Sequence, residues 1–566
     1  MSNLPEILAL LVQQHSPNID YDFPKSLSPF LKTNDLPPES DVKVLEDLSK
    51  NVSDALRLIT SDMESLIGAH SQLKKIQDHL LHVDAEIKRA APPIERVPVE
   101  ILMQVFREAT STMGNPLDMR WEPFVISRVC HKWRVVATEQ CPEIWTKFMF
   151  ERAVWDDVED PIALLSLVLS RGAERSLEFN FNASSDSDVS DYRGLEQTLS
   201  ENSSNEDEED EDEGYTRVPW YLRIDDSITK PVLQELVHHC LRWRAVYFSI
   251  PTRLFHLLSP IRGKLPALVL FSLDCVADDQ AVQSSILTQS HILDGAPLLE
   301  IVSVSCHEVD FPLLIPQGVP KLTSYTDIGP RYGDPTLRQH FLEIIRTSPH
   351  LKSFSIGQMC SPIVPTLRVV HPGITRLSTS DGTFLRSLTL PELKNMELYD
   401  SDENTHDEIS SLYDLVVHSA CNLSSLKVVY CALNENLIHI LEASPDLTTL
   451  ILEFSLCGAA GANSVPTVKS LFDGLGGFKH ILVPRLRNLS LTIALGNEDF
   501  GIFDHPFGYC IEDRWRKGIL HSVTVAIPWI GTEFTLSQDC REQLIRLKDE
   551  GMDIEFTSRR KSLLFL

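Results

Sequence analysis

The side chains best equipped for chemistry in this sequence are eleven cysteines, nineteen histidines and eighty aspartates and glutamates. Their spacing works against catalysis. The cysteines are scattered, with no Cys-x-x-Cys pair and no Cys/His spacing that could hold a zinc ion. An odd count behind no secretory-type leader reads as reduced thiols, hence a cytoplasmic or nuclear protein. There is no His-Glu-x-x-His, no Gly-x-Ser-x-Gly and no phosphate loop. Gly458-Ala-Ala-Gly461 and Gly474-Leu-Gly-Gly477 have no Lys-Ser/Thr behind them and read as turns. His238-His239 sits on an apolar helical stretch without ligand partners and reads as a packed or surface pair. The expectation is a protein that is not an enzyme, with no metal and no cofactor. A hydrolase in the C-terminal region has no nucleophile motif to support it.

Charge narrows the partners. The net charge is −29, and residues 184–214 hold thirteen acids against one arginine, which leaves −17 for the rest. A broadly negative surface disfavours phosphate backbones, so nucleic acid is not expected. Glu206–Glu213, preceded by Ser and Asn, cannot bury enough apolar surface to order itself, and 184–214 reads as a disordered insertion. Ser203 and Ser204 each have an acid three residues on, which fits an acid-directed kinase, although a plain solvating tract explains the run as well. The longest apolar runs, such as Ile162–Leu169, are too short to span a bilayer, so no membrane is expected. Arg559-Arg-Lys561 reads as a solvated end.

The elements around these residues follow from periodicity. Residues 1–42, rich in Pro, Ser and Asn, read as a loose leader without the charge and apolar pattern of a secretory signal. From 43 to 90 the pattern changes. Val44, Leu48, Val52, Ala55, Ile59, Met63, Leu66, Ala69, Leu73, Ile76, Leu80, Val83 and Ile87 are spaced by fours and threes for six heptads. That is a long coiled-coil-type helix, ended by Ala90-Ala-Pro-Pro93. Its partner stays open: a second copy, giving a homodimer, or the chain's own domain, with the helix as a strut.

Residues 91–150 carry three phrases in order. Ile94-Glu-Arg-Val-Pro-Val-Glu-Ile-Leu-Met-Gln-Val-Phe106 starts a helix, with Pro98 at a position that needs no N–H and Glu100 in the first turn. Val125, Val129, Trp133 and Val136 make a second stripe, with Val129-Cys-His-Lys-Trp133 inside it. Cys141-Pro-Glu-Ile-Trp145 closes the segment. These phrases resemble an F-box, although Val97 stands where Leu is usual and the stretch Arg107–Pro123 is long. Leu4-Pro-Glu-Ile-Leu8 copies the start, but no matching second phrase follows. Leader, long helix and then this segment resemble a large family of fungal F-box proteins. The resemblance implies docking to a Skp-type adaptor and, through it, to a cullin. Pro98, Ile101, Leu102, Val105, Val129, Cys130 and Trp133 would contribute to the docking surface, with Trp145 closing the module internally. A buried helical pair inside a larger all-α domain is the plain alternative.

From 151 to 566 a phrase recurs: Pro followed by apolar residues at +2, +5 and +7. Pro266, Pro297, Pro349, Pro391, Pro445 and Pro484 lead copies, Cys421 replaces Pro in another, and weaker copies begin at Pro320 and Pro372. Copies lie 19 to 39 residues apart. Each reads as a short strand with one buried face, and helical stretches such as His340–Arg346 and Glu435–Leu441 lie between. The expected fold is an α/β repeat, a leucine-rich-repeat-like solenoid, preceded by a small all-α F-box and a long N-terminal helix. A generic α/β domain with a parallel sheet gives the same coarse string. If the strands line one open face, its +4 and +6 positions include Asn395, Glu397, Lys427 and Ile451, available to a protein substrate. Together these features read as a substrate-recognition adaptor of an SCF-type cullin–RING ubiquitin ligase. The other reading is a scaffold that uses the same modules without ubiquitin transfer.

Overall fold

Pro37 and Pro38 precede a helix whose first turn carries Glu39 and Asp41, acids placed where the helix dipole favours them. This helix, α1, runs Glu39–Ala90 for 52 residues, roughly 78 Å at the usual rise. In this computed structural model the described residues are 9, 10, 13, 37–90, 97–110, 112–150, 158–183, 226–276, 291–307, 319–328, 331–332, 335–357, 359–360, 368–399, 408–456, 458–476, 481–494, 502–503, 505–528, 536–558 and 561–562. The acidic tract with Ser203 and Ser204, most of the leader, and Arg559 lie outside them. The chain divides into two units, Met1–Val99 and Glu100–Leu566.

The second unit opens with short helices: α2 Val99–Ala109, α3 Glu122–Arg128 and α4 His131–Val135. A π turn Val136–Gln140 and a 3₁₀ turn Pro142–Trp145 follow. The chain then enters a sheet of fifteen strands whose spatial order is its sequence order. They are β1 Lys147–Phe150, β2 Leu177–Asn182, β3 Trp243–Pro251, β4 Leu270–Val276, β5 Ile301–His307, β6 Ser324–Ile328 and β7 Ser353–Ile356. Next come β8 Arg376–Thr379, β9 Asn395–Tyr399, β10 Ser425–Val429, β11 Thr449–Ser455, β12 Asn488–Ala494, β13 Ser522–Ile527, β14 Asp553–Ser558 and β15 Lys561–Ser562. Neighbours pair in parallel throughout, except that β15 returns antiparallel to β14. Parallel neighbours need a crossover, and helices such as α5 Pro161–Arg171, Pro335–Thr347 and Glu435–Glu442 supply it. Because β1 already belongs to the sheet, residues 100–150 and the following region form one unit.

The recurring phrase is the strand. Leu351, Phe354 and Ile356 behind Pro349 are buried, as are Leu393, Met396 and Leu398 behind Pro391, and Leu450 and Leu452 behind Pro445. Every phrase led by Pro, and the one led by Cys421, places its apolar residues in the core in the same way. The two weaker copies carry a polar residue at +7, Asp327 and Thr379, and each is buried with a partner. Tyr325 Oη donates to Asp327 Oδ2 at 3.2 Å, and Asp381 N–H donates to Thr379 Oγ1 at 3.1 Å. Burial alternates along the strands, as in Thr449–Ser455, so one face holds the core and the other is half-exposed. A sheet with helices on both faces would instead read as continuous apolar runs.

One polar clamp lies in this core. Arg338 donates to Asp381 Oδ2 at 2.6 Å, with both side chains about 4% exposed. Asp381 Oδ1 also accepts from Phe384 N–H at 3.0 Å and so caps the short helix Gly382–Leu385. Asp381→Asn keeps a cap but removes the buried negative charge that faces the guanidinium. We expect a loss of about 3–5 kcal/mol in urea unfolding, and a loss under about 1 kcal/mol would contradict the pairing. One expectation fails here: Gly458-Ala-Ala-Gly461 is not a turn but the start of the helix Gly458–Leu475. Near its end, a Cβ on Gly474 would meet Leu482 Cδ1 at 2.2 Å, so glycine there serves close packing rather than a bend.

Candidate docking site

In α2 the apolar residues split into two i, i+4 pairs. Leu102 and Phe106 are buried at 2% and 0%, whereas Ile101 and Val105 are exposed at 50% and 49%. One pair anchors the helix and the other faces solvent. Pro98, immediately before the helix, is exposed. Leu102, expected on the docking surface, thus faces the module's own core instead of solvent.

The second stripe does not run through one helix. Cys130 is fully extended, at φ −156° and ψ 173°, and divides α3 from α4. Its Sγ accepts from Trp133 N–H at 3.5 Å and caps α4. The break sends the two ends of the expected stripe different ways. Val125 and Val129 are exposed at 48% and 54%, while Val136 is buried. Trp133 is half-buried, with its ring 5.0 Å from that of Phe106. Its indole N–H is buried and has no acceptor among the described residues.

The inside of the module is aromatic. Trp145 is wholly buried and donates from Nε1 to the Ala137 carbonyl at 2.7 Å. Trp121 and Phe124 meet it edge-on at 5.8 and 5.2 Å. The Arg171 guanidinium, at the end of α5, lies 4.6 Å from the Trp145 ring centroid, a cation–π contact that ties the module to the sheet. Arg107 and Glu143 form an ion pair that joins α2 to the closing turn. Burial pulls the Glu143 carboxyl upward, but its hydrogen bonds, including that from Arg107, hold it below the usual carboxylate range.

Burial, reinforced by nearby Glu143, pushes the Cys141 thiol up to about 12. Burial likewise pushes Cys421 up to about 11 and Cys510 up to about 12. These three should resist iodoacetamide at pH 8, because the thiolate is the reactive form. Cys130 is the partly exposed one among the eight cysteines whose side-chain burial is described. Peptide mapping of alkylated native protein should find Cys130 modified well before Cys141, Cys421 and Cys510. Equal rates at all four would show that the core opens freely.

The open face of the sheet holds the second candidate. Glu397, Lys427 and Ile451 are register partners on β9, β10 and β11, with Asn395 one pleat away beside Ser425. Two further residues, at +8 of their phrases, complete the group. Tyr399 Oη donates to Glu397 Oε2 at 2.7 Å, and its ring lies 5.4 Å from Lys427 Nζ. Glu453 is 4.0 Å from Lys427. Tyr430, 57% exposed, ends β10 in the left-handed region at φ +58°, a conformation that costs a β-carbon residue about 1–2 kcal/mol. Elsewhere this face is mostly small and polar, as in the register row Ser272, Ser303, Thr326 and Ser355.

Among the described residues, no group of three or more His, Cys, Asp or Glu side chains could hold a metal ion. His238 Nδ1 contacts the Gln234 carbonyl at 2.7 Å, and His239 Nε2 lies 3.8 Å from Glu235, so both are engaged within their own helix region. Among the described residues no helix is long and apolar enough to cross a membrane. No protein-family model and no curated protein matches this chain.

Proposed function

We propose that this chain is the substrate-recruiting subunit of an SCF-type cullin–RING ubiquitin ligase, with residues 91–150 acting as an F-box. The observation that carries this reading is the exposure of Ile101, Val105, Val125 and Val129 on a module otherwise closed around Trp145. Four large aliphatic side chains on two short helices are a docking surface for a protein rather than for a small molecule. In the family resembled, the partner there is a Skp-type adaptor, which brings a cullin. Trp133, half-buried with its ring against that of Phe106, offers that partner the exposed part of an aromatic side chain.

The sheet is the substrate end of the same reading. Strands in sequence order with one buried face fit degenerate leucine-rich repeats, whose open face binds a protein. Tyr399 and Tyr430 supply aromatic anchors of the kind interfaces favour, with Lys427 and Glu453 as charged neighbours that could set register. The contribution to ubiquitin transfer is proximity, and no residue here breaks or makes a bond. The free thiols of Cys130, Cys141, Cys240, Cys421 and Cys510 fit a reducing compartment, cytoplasm or nucleus.

Co-expression of the full chain with a Skp-type adaptor and a cullin tests this. Recovery of both in one complex supports the ligase reading. Adaptor without cullin supports the scaffold that uses the same modules, and recovery of neither contradicts both.

A further inference from the structure

The side of α1 left bare shows what it is built to meet. Leu45, Leu48, Val52, Ala55, Ile59 and Asp62 are half-buried, which fixes the phase of its apolar seam. Leu45 and Asp62, not the expected Val44 and Met63, lie on it. Continued by threes and fours, the seam runs through Leu66, Ala69, Leu73, Ile76, Leu80, Val83 and Ile87. From Met63 to His82 every residue is exposed, with Leu73 at 60%, Ile76 at 55% and Leu80 at 61%. We propose that this bare half pairs with the same half of a second copy, as an antiparallel coiled coil centred on Leu73 and Ile76.

The period argues for a helix as the partner. A straight helix drifts about 20° per heptad from a strict seven-residue repeat, so only a supercoiling helix keeps such a seam covered. The flanking positions argue for the chain's own copy. Ser65, His70, Gln72, Gln77 and His79 carry no fixed charge, so self-pairing meets no like charge across the middle of the overlap, and the acidic Asp84 and Glu86 flank only its end. Side-chain size sets the direction. Parallel pairing puts Ala69 opposite Ala69 and Asp62 opposite Asp62, a void and a repulsion. Antiparallel pairing sets Ala69 against Leu80 and Leu66 against Val83, and moves Asp62 to the end of the overlap. At ~25 cal/mol per Å², with 1.5–3 kcal/mol per buried large aliphatic side chain, the seam buries on the order of 1,000 Å² in total. That lies at the low end for a specific complex, so the dimer should depend on concentration.

The test is the molar mass of the full chain by light scattering from roughly 1 to 200 µM. The mass should rise from 63.9 kDa toward twice that value. Leu73→Asp with Leu80→Asp should hold it at the monomer without loss of helix by circular dichroism, because both side chains are exposed in the single chain. Ala69→Glu alone and Leu80→Lys alone should each weaken the dimer by about 30-fold or more, and the two together in one chain should restore it to within about tenfold, since antiparallel pairing sets the new charges opposite one another. A double variant weaker than either single variant would overturn the antiparallel arrangement. A monomer at every concentration, or a dimer indifferent to the two aspartates, would overturn the proposal.

Discussion

Ile101→Asp combined with Val129→Asp is expected to leave the protein folded and, if the proposed docking surface is correct, to abolish capture of a Skp-type adaptor. Both side chains are about half exposed, at 50% and 54%, so little core is lost, and the unfolding midpoint should move by no more than about 1 kcal/mol in stability. In a docked complex the same positions are desolvated. Each lost aliphatic contact removes about 1.5–3 kcal/mol, and each buried carboxylate adds a further penalty. Affinity should fall by about 100-fold at the least, read by titration calorimetry against the unaltered protein. Unchanged affinity would mean that the adaptor, if it binds, binds elsewhere.

Trp145→Ala has the largest expected effect on stability. Its ring is wholly buried among Trp121, Phe124 and the Arg171 guanidinium, and its N–H satisfies the Ala137 carbonyl. Emptying that site should cost about 3–5 kcal/mol in urea unfolding. Trp133→Ala should cost less, because its ring is half-buried and its N–H is already unsatisfied; its larger effect should fall on adaptor binding. These outcomes would assign Trp145 to holding the module closed and Trp133 to meeting the proposed adaptor. Equal stability losses in the two variants would remove that division of roles.

Much of this architecture was legible in the sequence where one residue type enforces one geometry. Pro349, Pro391, Pro445 and Pro484 announce strands because a fixed φ suits the turn before each strand and the +5 and +7 residues then alternate inward. β13 and β14 carry no such mark. The first follows Gly518 at φ +67°, and the second packs Met552, Ile554 and Phe556 at the closer spacing of +2 and +4. Tyr399 and Glu453 were missed because the phrase was read only to +7, although the inward alternation of Leu450, Leu452 and Phe454 already signalled a longer strand. The break at Cys130 was not legible. Val125, Val129, Trp133 and Val136 keep helical spacing across it, and only the extended backbone at Cys130 sends Val129 outward and Val136 inward. The heptad seam slipped by one residue at Val44, where apolar Leu45 offers the other phase, and at Met63, where the seam position is held by the charged Asp62 and the apolar pattern points to its neighbour.

The docking claim is tested most directly by titrating a Skp-type adaptor into the full-length protein and following hydrogen exchange along the chain. A one-to-one complex is expected, with slowed exchange concentrated in α2, α3 and α4, around Ile101, Val105, Val125 and Val129. Folded protein that binds no adaptor, or that binds it with no slowing in those three helices, would contradict it.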